Sequence, residues 1–230
     1  RGTHFFGWQR QPEARTIQGE IEAALTTLLR TETPITGCGR TDTGVHASQY
    51  FAHFDTEEAL NDYRFLKSIN GILDKDIEIV RLITVEEKAH SRFDADARTY
   101  HYFLHLGKNQ FLKGLSTSIR QPLDLDLMNA SAKHFLGEKD FSSFEKIGAD
   151  NATSFCKVTE SNWTFENGQW RYRITANRFL RNMVRAIVGT HLDIAKARFK
   201  LEDLPEIIAS KDRGRAGTSA PAEGLYLEEI

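Results

Sequence analysis

Val158-Thr159-Glu160-Ser161-Asn162-Trp163-Thr164-Phe165-Glu166-Asn167-Gly168-Gln169-Trp170-Arg171-Tyr172-Arg173-Ile174-Thr175-Ala176 reads as two strands joined by a two-residue turn. Asn-Gly accepts the paired positive φ angles of a type I′ turn, whose twist suits a hairpin. The strands Val158 to Phe165 and Trp170 to Ala176 are therefore expected to pair antiparallel. Before the hairpin, Asp124 to Leu136 reads as a helix closed by Gly137. Thr99 to Leu106 reads as a strand with Tyr100, Tyr102, Leu104 and Leu106 on one face. After the hairpin, the spacing predicts a helix from Arg178 to about Ile194. Phe179, Met183, Ile187 and Val188 form its apolar side, and Arg178, Arg181 and Arg185 another stripe. A short helix near Asp203 to Ser210 and a strand from Leu225 to Ile230 complete this half.

The first half has a similar order of elements. Ile17, Ile21, Ala24, Leu25, Leu28 and Leu29 share a helical face, with Thr16 as N-cap and Pro34 as stop. Gln49 to Phe54 reads as a strand. Glu57 to Asn70 reads as a helix, with Leu60, Tyr63, Leu66 and Ile69 at helical spacing and Gly71 at its end. Ile77 to Val85 reads as a strand. The class is α+β: two similar subdomains, residues 1–92 and 93–230, with antiparallel sheets flanked by helices. Their boundary lies in the polar stretch Glu86 to Arg98. Arg1-Gly2-Thr3 opens the sequence without a methionine, so a preceding segment is expected.

With 230 residues, 40% hydrophobic and 27% charged, the chain has the profile of an ordinary globular protein. No apolar run approaches the ~20 residues of a membrane span, and a cytoplasmic setting is the default. Cys38 and Cys156, the only cysteines, match no metal-ligand spacing. Neither a His-Glu-x-x-His nor a Cys-x-x-Cys occurs, so no metal and no cofactor are expected. The net charge is −2, yet five arginines (Arg171, Arg173, Arg178, Arg181 and Arg185) occur with no acid between the first and last. Such a patch can hold phosphates while the rest of the molecule stays acidic.

Gly37-Cys38-Gly39-Arg40-Thr41-Asp42-Thr43-Gly44-Val45-His46-Ala47 carries the chemistry. Three glycines within eight residues permit backbone conformations that side chains forbid. A carboxylate near the Arg40 guanidinium stays ionised and can serve as nucleophile or base. Taken alone, the segment fits better an Asp that only makes a side-chain turn with the next amides. A dinucleotide fingerprint would need glycine where Asp42 stands, and a P-loop would need Gly-Lys-Ser/Thr at its end. Both nucleotide-loop readings fail.

Gly39 to Ala47 resembles the active-site motif of the TruA family of tRNA pseudouridine synthases. Phe6-Gly7-Trp8-Gln9-Arg10-Gln11 with Thr16-Ile17-Gln18-Gly19 is similar to the family's opening. Ala97-Arg98-Thr99-Tyr100-His101-Tyr102 resembles its second motif, and Met183-Val184-Arg185-Ala186-Ile187-Val188-Gly189 its third. Ala222-Glu223-Gly224-Leu225-Tyr226-Leu227 resembles its terminal strand. The motifs follow in order over nearly the whole chain. The departure at Thr43, often Ala in the family, is mild. The family usually has a strand before the Gly-Thr of the opening, which this sequence lacks.

The resemblance implies isomerisation of uridine to pseudouridine at positions 38, 39 and/or 40 of the tRNA anticodon stem-loop. It implies Asp42 as the catalytic carboxylate, Tyr100 as the active-site tyrosine, and Arg185 as the arginine that pairs with the aspartate in a cleft between the subdomains. Three routes stay open to Asp42: attack on the ribose carbon, removal of a ribose proton, or attack at carbon 6 of the base. Arg40, Thr41, His46, Arg171, Arg173, Arg178 and Arg181 are the expected RNA contacts, His46 alternatively a hydrogen-bonded structural group. A homodimer is implied as well. The alternatives are a catalytically silent RNA-binding module using the same basic cleft, and a carboxylate-dependent nucleosidase or glycosidase. The latter would need a second, well-placed acid, and none stands out.

Overall fold

Thr16 opens the first helix in extended conformation, and its Oγ1 accepts the Gly19 N–H at 3.2 Å. The computed structural model describes residues 1–57, 59–149 and 151–230, which fall into two compact units, Arg1–Asp96 and Ala97–Ile230. In the first unit α1 (Ile17–Leu29) buries Ile21, Ala24 and Leu25, as the stripe predicts. It ends at Arg30, which takes the left-handed conformation at φ 55°, well before Pro34. Two-residue strands follow: β1 (Thr36–Gly37), β2 (His46–Ala47) and β3 (Ala52–His53). β1 and β3 pair antiparallel, so the strand expected from Gln49 to Phe54 shrinks to its centre.

α2 (Asp62–Ile72) starts later than the spacing suggests, because the Asn61 side chain caps the Arg64 N–H. Glu58, inside the expected helix, lies outside the described residues. Phe65 and Ile69, one turn apart, face the core with Leu73, and Phe65 stacks on Phe54. Tyr63 points outward at 76% exposure, and the helix runs through Gly71. Ile77 to Val85 forms no strand. Ile77, Ile79 and Leu82 do pack on the core, but the hydrogen bonds at Ile79 are made by a side chain. Asn70 donates to the Ile79 carbonyl and accepts its N–H, both at 2.8 Å. The amide group thus supplies locally what a neighbouring strand supplies in a ladder.

The second unit holds the large sheet. Its elements are β4 (Arg98–Leu106), β5 (Thr117–Ile119), α3 (Leu125–Lys133), β6 (Gly137–Asp140), β7 (Phe155–Glu166), β8 (Gln169–Ala176), α4 (Met183–Ala195), α5 (Leu204–Ala209) and β9 (Leu225–Glu229). Within the unit the order is β9-β4-β8-β7-β6, all antiparallel, with β5 running parallel to the end of β4. Asn167 and Gly168 have φ 53° and 77°, as a type I′ turn requires. Asp124 caps α3 by accepting the N–H groups of Asp126 and Leu127.

Alternation sorts β8 cleanly: Trp170, Tyr172, Ile174 and Ala176 are buried, while Arg171, Arg173 and Thr175 lie on the other face. α3 and α4 cover the apolar face. Asn129 bridges to both backbone groups of Trp163, and Ser161 donates to the Ala132 carbonyl. α4 is buried nearly all round, and its His191 accepts the Trp163 Nε1–H at 2.9 Å. Arg178 to Arg181 do not belong to this helix. Asn182 sits in the left-handed region at φ 68°, where Asn is tolerated, and the helix begins only after it. The three arginines expected along one stripe are therefore not a helical stripe. Among the described residues, no helix is long and apolar enough to cross a membrane.

Burial pushes the His191 imidazole down to about 3. The unfolded chain, with an ordinary histidine near 6.5, then binds the proton first as the pH falls. Stability contributed by the neutral ring is complete above about pH 6.5 and declines towards pH 3, by about 1.4 kcal/mol per unit in between. In urea titrations, His191→Gln should flatten the decline between pH 6.5 and 5 by roughly 2 kcal/mol relative to the parent. Identical pH slopes for the two proteins would contradict this.

Candidate active site

The glycine-rich loop is held from below by the residues that precede α1. Gly7, at φ 82°, comes so close to the loop that a β-carbon there would lie 2.4 Å from the Thr41 carbonyl oxygen. The Trp8 N–H donates to that same oxygen at 3.2 Å, and the Gly44 N–H donates to the Phe5 carbonyl at 3.3 Å. Ile17 and Gln18, at the start of α1, donate to the carbonyls of Gly7 and Trp8. The loop is thereby indexed to the helix. On its other side, Cys38 donates to the Phe51 carbonyl, and Tyr50 stacks on Trp8 at 4.0 Å while its hydroxyl donates to the Gly39 carbonyl.

Asp42 stands half-buried at the head of a tight turn, between exposed Arg40 and exposed Thr43. The turn is closed by main chain, the Val45 N–H donating to the Asp42 carbonyl at 3.1 Å. Thr41 lends its carbonyl to the Gly7–Trp8 platform. His46 is only 2% exposed, and its Nδ1 accepts the Gly2 N–H at 3.0 Å. His46 thereby ties the main chain at Gly2 to the end of the loop. Arg40, Thr41, Asp42 and His46 therefore share one loop, with three different degrees of exposure.

In the second unit Tyr100 lies on β4, opposite Ile174 of β8 and Leu227 of β9, beside an irregularity between Thr99 and Tyr100. The ring is half-buried and meets Phe179 edge-on at 5.0 Å. Its neighbour Tyr102 is a different kind of residue. The Tyr102 hydroxyl is shared with Thr117 Oγ1 and donates to the Pro221 carbonyl, each at 2.8 Å, and burial pushes its ionisation far up. Tyr102 is a structural phenol.

Arg185 sits in the first turn of α4. Its Nε donates to the Ala220 carbonyl at 2.7 Å, while the Ala220 N–H donates to the Arg185 carbonyl at 2.9 Å. The Nε bond orients the guanidinium, and the main-chain bond holds Ala220 beside it. One turn on, Gly189 admits the same segment: a β-carbon there would lie 1.8 Å from the Thr218 carbonyl oxygen. The spacing of Arg185 and Gly189 was visible in the sequence; their shared partner, residues 218–220, was not.

The remaining arginines divide. Arg171 and Arg173 project from the outer face of β8, but strand pairing brings carboxylates beside them. Arg173 meets Glu160 at 2.8 Å and Glu229 at 3.5 Å, and its Nη1 lies 3.1 Å from His101 Nε2. Arg171 meets Glu166 at 3.4 Å. The stretch free of acids in sequence is therefore not free of acids in space. Burial pushes His101 down, against the opposing pull of Glu228. Arg178 and Arg181 lie in the irregular segment before α4, and the Arg181 carbonyl accepts the Lys146 N–H. No group of three or more His, Cys, Asp or Glu among the described residues is placed to hold a metal ion.

Comparison with known proteins places this arrangement. Residues 131–230 match the family model described as tRNA pseudouridine synthase. The chain is 44% identical over 230 residues to tRNA pseudouridine synthase A of Parabacteroides distasonis, covering all of this chain and 91% of that protein. It is 43% identical to the protein of that name from Porphyromonas gingivalis, covering all of this chain and 92% of the relative. For Caldicellulosiruptor saccharolyticus the identity is 39%, over all of this chain and 95% of the relative. The chain belongs to the tRNA pseudouridine synthase A family and is an isomerase of the pseudouridine synthase class.

Gly7→Ala would place a methyl group against the Thr41 carbonyl at a φ that L residues avoid. It is expected to cost about 1–3 kcal/mol in urea unfolding and to displace the Asp42 loop. Gly107→Ala shares the positive φ but has nothing within 4 Å, so it should cost only about 1 kcal/mol. Equal losses for the two variants would show that the close approach contributes nothing.

Proposed function

We propose that the protein converts uridine to pseudouridine in tRNA, at positions 38, 39 and/or 40 of the anticodon stem-loop, with Asp42 as the catalytic carboxylate. The observation that carries this reading is the presentation of Asp42. A main-chain turn, indexed to α1 through Gly7 and Trp8, holds Asp42 at the head of the loop. The family's reaction breaks the bond between N1 of uracil and C1′ of ribose and forms one between C5 and C1′. The C5 proton leaves and N1 gains one, so nothing is oxidised or hydrolysed overall.

A preorganised carboxylate can serve each of the three routes, as nucleophile at C1′ or C6 or as base toward a ribose proton. Tyr100 is the proposed partner for the uracil, its ring stacking on the extruded base and its phenol moving the C5 proton. Its half-exposure supports that role over Tyr102, whose hydroxyl is already bound twice. Arg185, with its guanidinium plane set by Ala220, is the proposed cation of the site. Arg40, Arg178 and Arg181 are proposed phosphate contacts, with Thr41 beside them. Arg171 and Arg173 are weaker candidates, since binding RNA there would compete with Glu160, Glu166 and Glu229. The reading also takes the protein to act in the cytoplasm as a homodimer, which light scattering would test.

Tritium release from tRNA labelled at C5 of uridine tests the reaction directly. Asp42→Asn should lower the rate at least about 1,000-fold while tRNA affinity stays within a few-fold. Release by the variant at the parent's rate would remove Asp42 from the mechanism. Binding by both without release by either would point to a silent RNA-binding module. Tyr100→Phe keeps the ring and deletes the phenol; a loss of roughly 100-fold or more in kcat with KM unchanged would assign proton transfer to the hydroxyl. Unchanged kcat would leave Tyr100 only a stacking role.

A further inference from the structure

Arg171 and Arg173 are matched by carboxylates, but a further run of positive charge in this unit is not. It lies in the connection between β4 and β5. From Ala97 to Leu123 the chain contains no Asp or Glu. Lys108 and Lys113 in that connection and Arg120, the residue after β5, are all exposed, and none of the three is in an ion pair among the described residues. Between the lysines stands Phe111, 93% exposed.

The ring is held out by an ordered backbone. β5 runs parallel to β4, so the chain must double back through 107–116, a connection too short for the crossover helix that usually covers such a step. It is pinned instead by hydrogen bonds. Phe111 N–H donates to Asn109 Oδ1 at 3.0 Å, and Leu115 and Ser116 donate to the Leu112 carbonyl. Gly107 donates to the Ile119 carbonyl at 2.8 Å, and the Tyr226 hydroxyl to the Leu115 carbonyl at 2.7 Å. An apolar ring kept in water by a fixed loop gains nothing for the fold.

We infer that this loop is a second RNA contact, in which an unpaired nucleobase stacks on Phe111 while Lys108, Lys113 and Arg120 meet the flanking phosphates. An exposed ring among cations is the usual surface for single-stranded nucleic acid, and it tolerates any base because every base has a π-face. A second copy of this chain, docked about a two-fold axis on the loop, would bring three like charges against its own three. The inference rests on the tRNA reading above and names a contact outside the residues assigned to it.

Anisotropy binding of a fluorescein-labelled unmodified tRNA transcript tests it, over a range of salt, with tritium release measured alongside. Phe111→Ala should weaken binding roughly 5- to 150-fold at every salt concentration. Lys108→Gln/Lys113→Gln/Arg120→Gln should lower the slope of log K against log salt by about two to three. Phe111 is almost wholly exposed, so its loss does not act through unfolding. Binding by both variants within twofold of the parent, with unchanged slope, overturns the inference. So does a change in molar mass by light scattering in Phe111→Ala, which would mean that the ring covers protein. A parent that binds tRNA without releasing tritium sinks the catalytic reading alone, and the variant ratios still decide the loop. A parent that does not bind tRNA overturns both.

Discussion

The approach of Gly7 to the Thr41 carbonyl is the contact on which the geometry of the Asp42 loop depends. It leaves no space for a side chain, and it brings the Trp8 N–H onto the same oxygen. Through Ile17 and Gln18 this platform is continuous with the first turn of α1, and α1 in turn contributes Ile21, Ala24 and Leu25 to the core of the first unit. A displacement of the loop would therefore have to disturb a helix terminus and a packed core together. Such coupling turns a glycine-rich segment, which would otherwise sample many conformations, into a fixed support for one carboxylate. For the role proposed for Asp42, the cost of ordering the group is met during folding and not at each turnover.

The second unit solves a similar problem with different parts. Arg185 is fixed by a pair of hydrogen bonds to Ala220, and Gly189 lets the same segment lie against α4. Beneath them, Trp163, Tyr172 and His191 interlock between the sheet and α4, with the indole N–H satisfied by a neutral imidazole. The indole N–H and the Tyr172 hydroxyl each have a defined partner, whereas His191 Nε2 is buried without one. The result is a rigid apolar layer on one face of the sheet and a charged, largely self-neutralised layer on the other.

Much of the fold was legible locally. Thr16, Asp124 and the Asn167-Gly168 turn act through groups two or three residues away, and each does what its residue type predicts. The misreadings are equally physical. On α2 the core face carries Phe65, which stacks on Phe54 from elsewhere in the chain, while Tyr63 faces outward. The helix expected from Arg178 waits until Met183 because Asn182 takes a left-handed conformation. Ile77 to Val85 has the composition of a strand, but a strand is a relation between two segments, and Asn70 stands in for the missing ladder.

By itself the sequence determined the α+β class, the caps and turns, and the motifs that place the chain in its family, since all of these reside in residue type and short spacing. Only the tertiary structure decided which charges remain active. Arg171 and Arg173 sit in an acid-free stretch yet face Glu160, Glu166 and Glu229 across the strands, whereas Lys108, Lys113 and Arg120 are in no ion pair among the described residues. Electrostatic neutralisation depends on distance through space, and strand register sets that distance without leaving a mark on neighbouring residues in the chain.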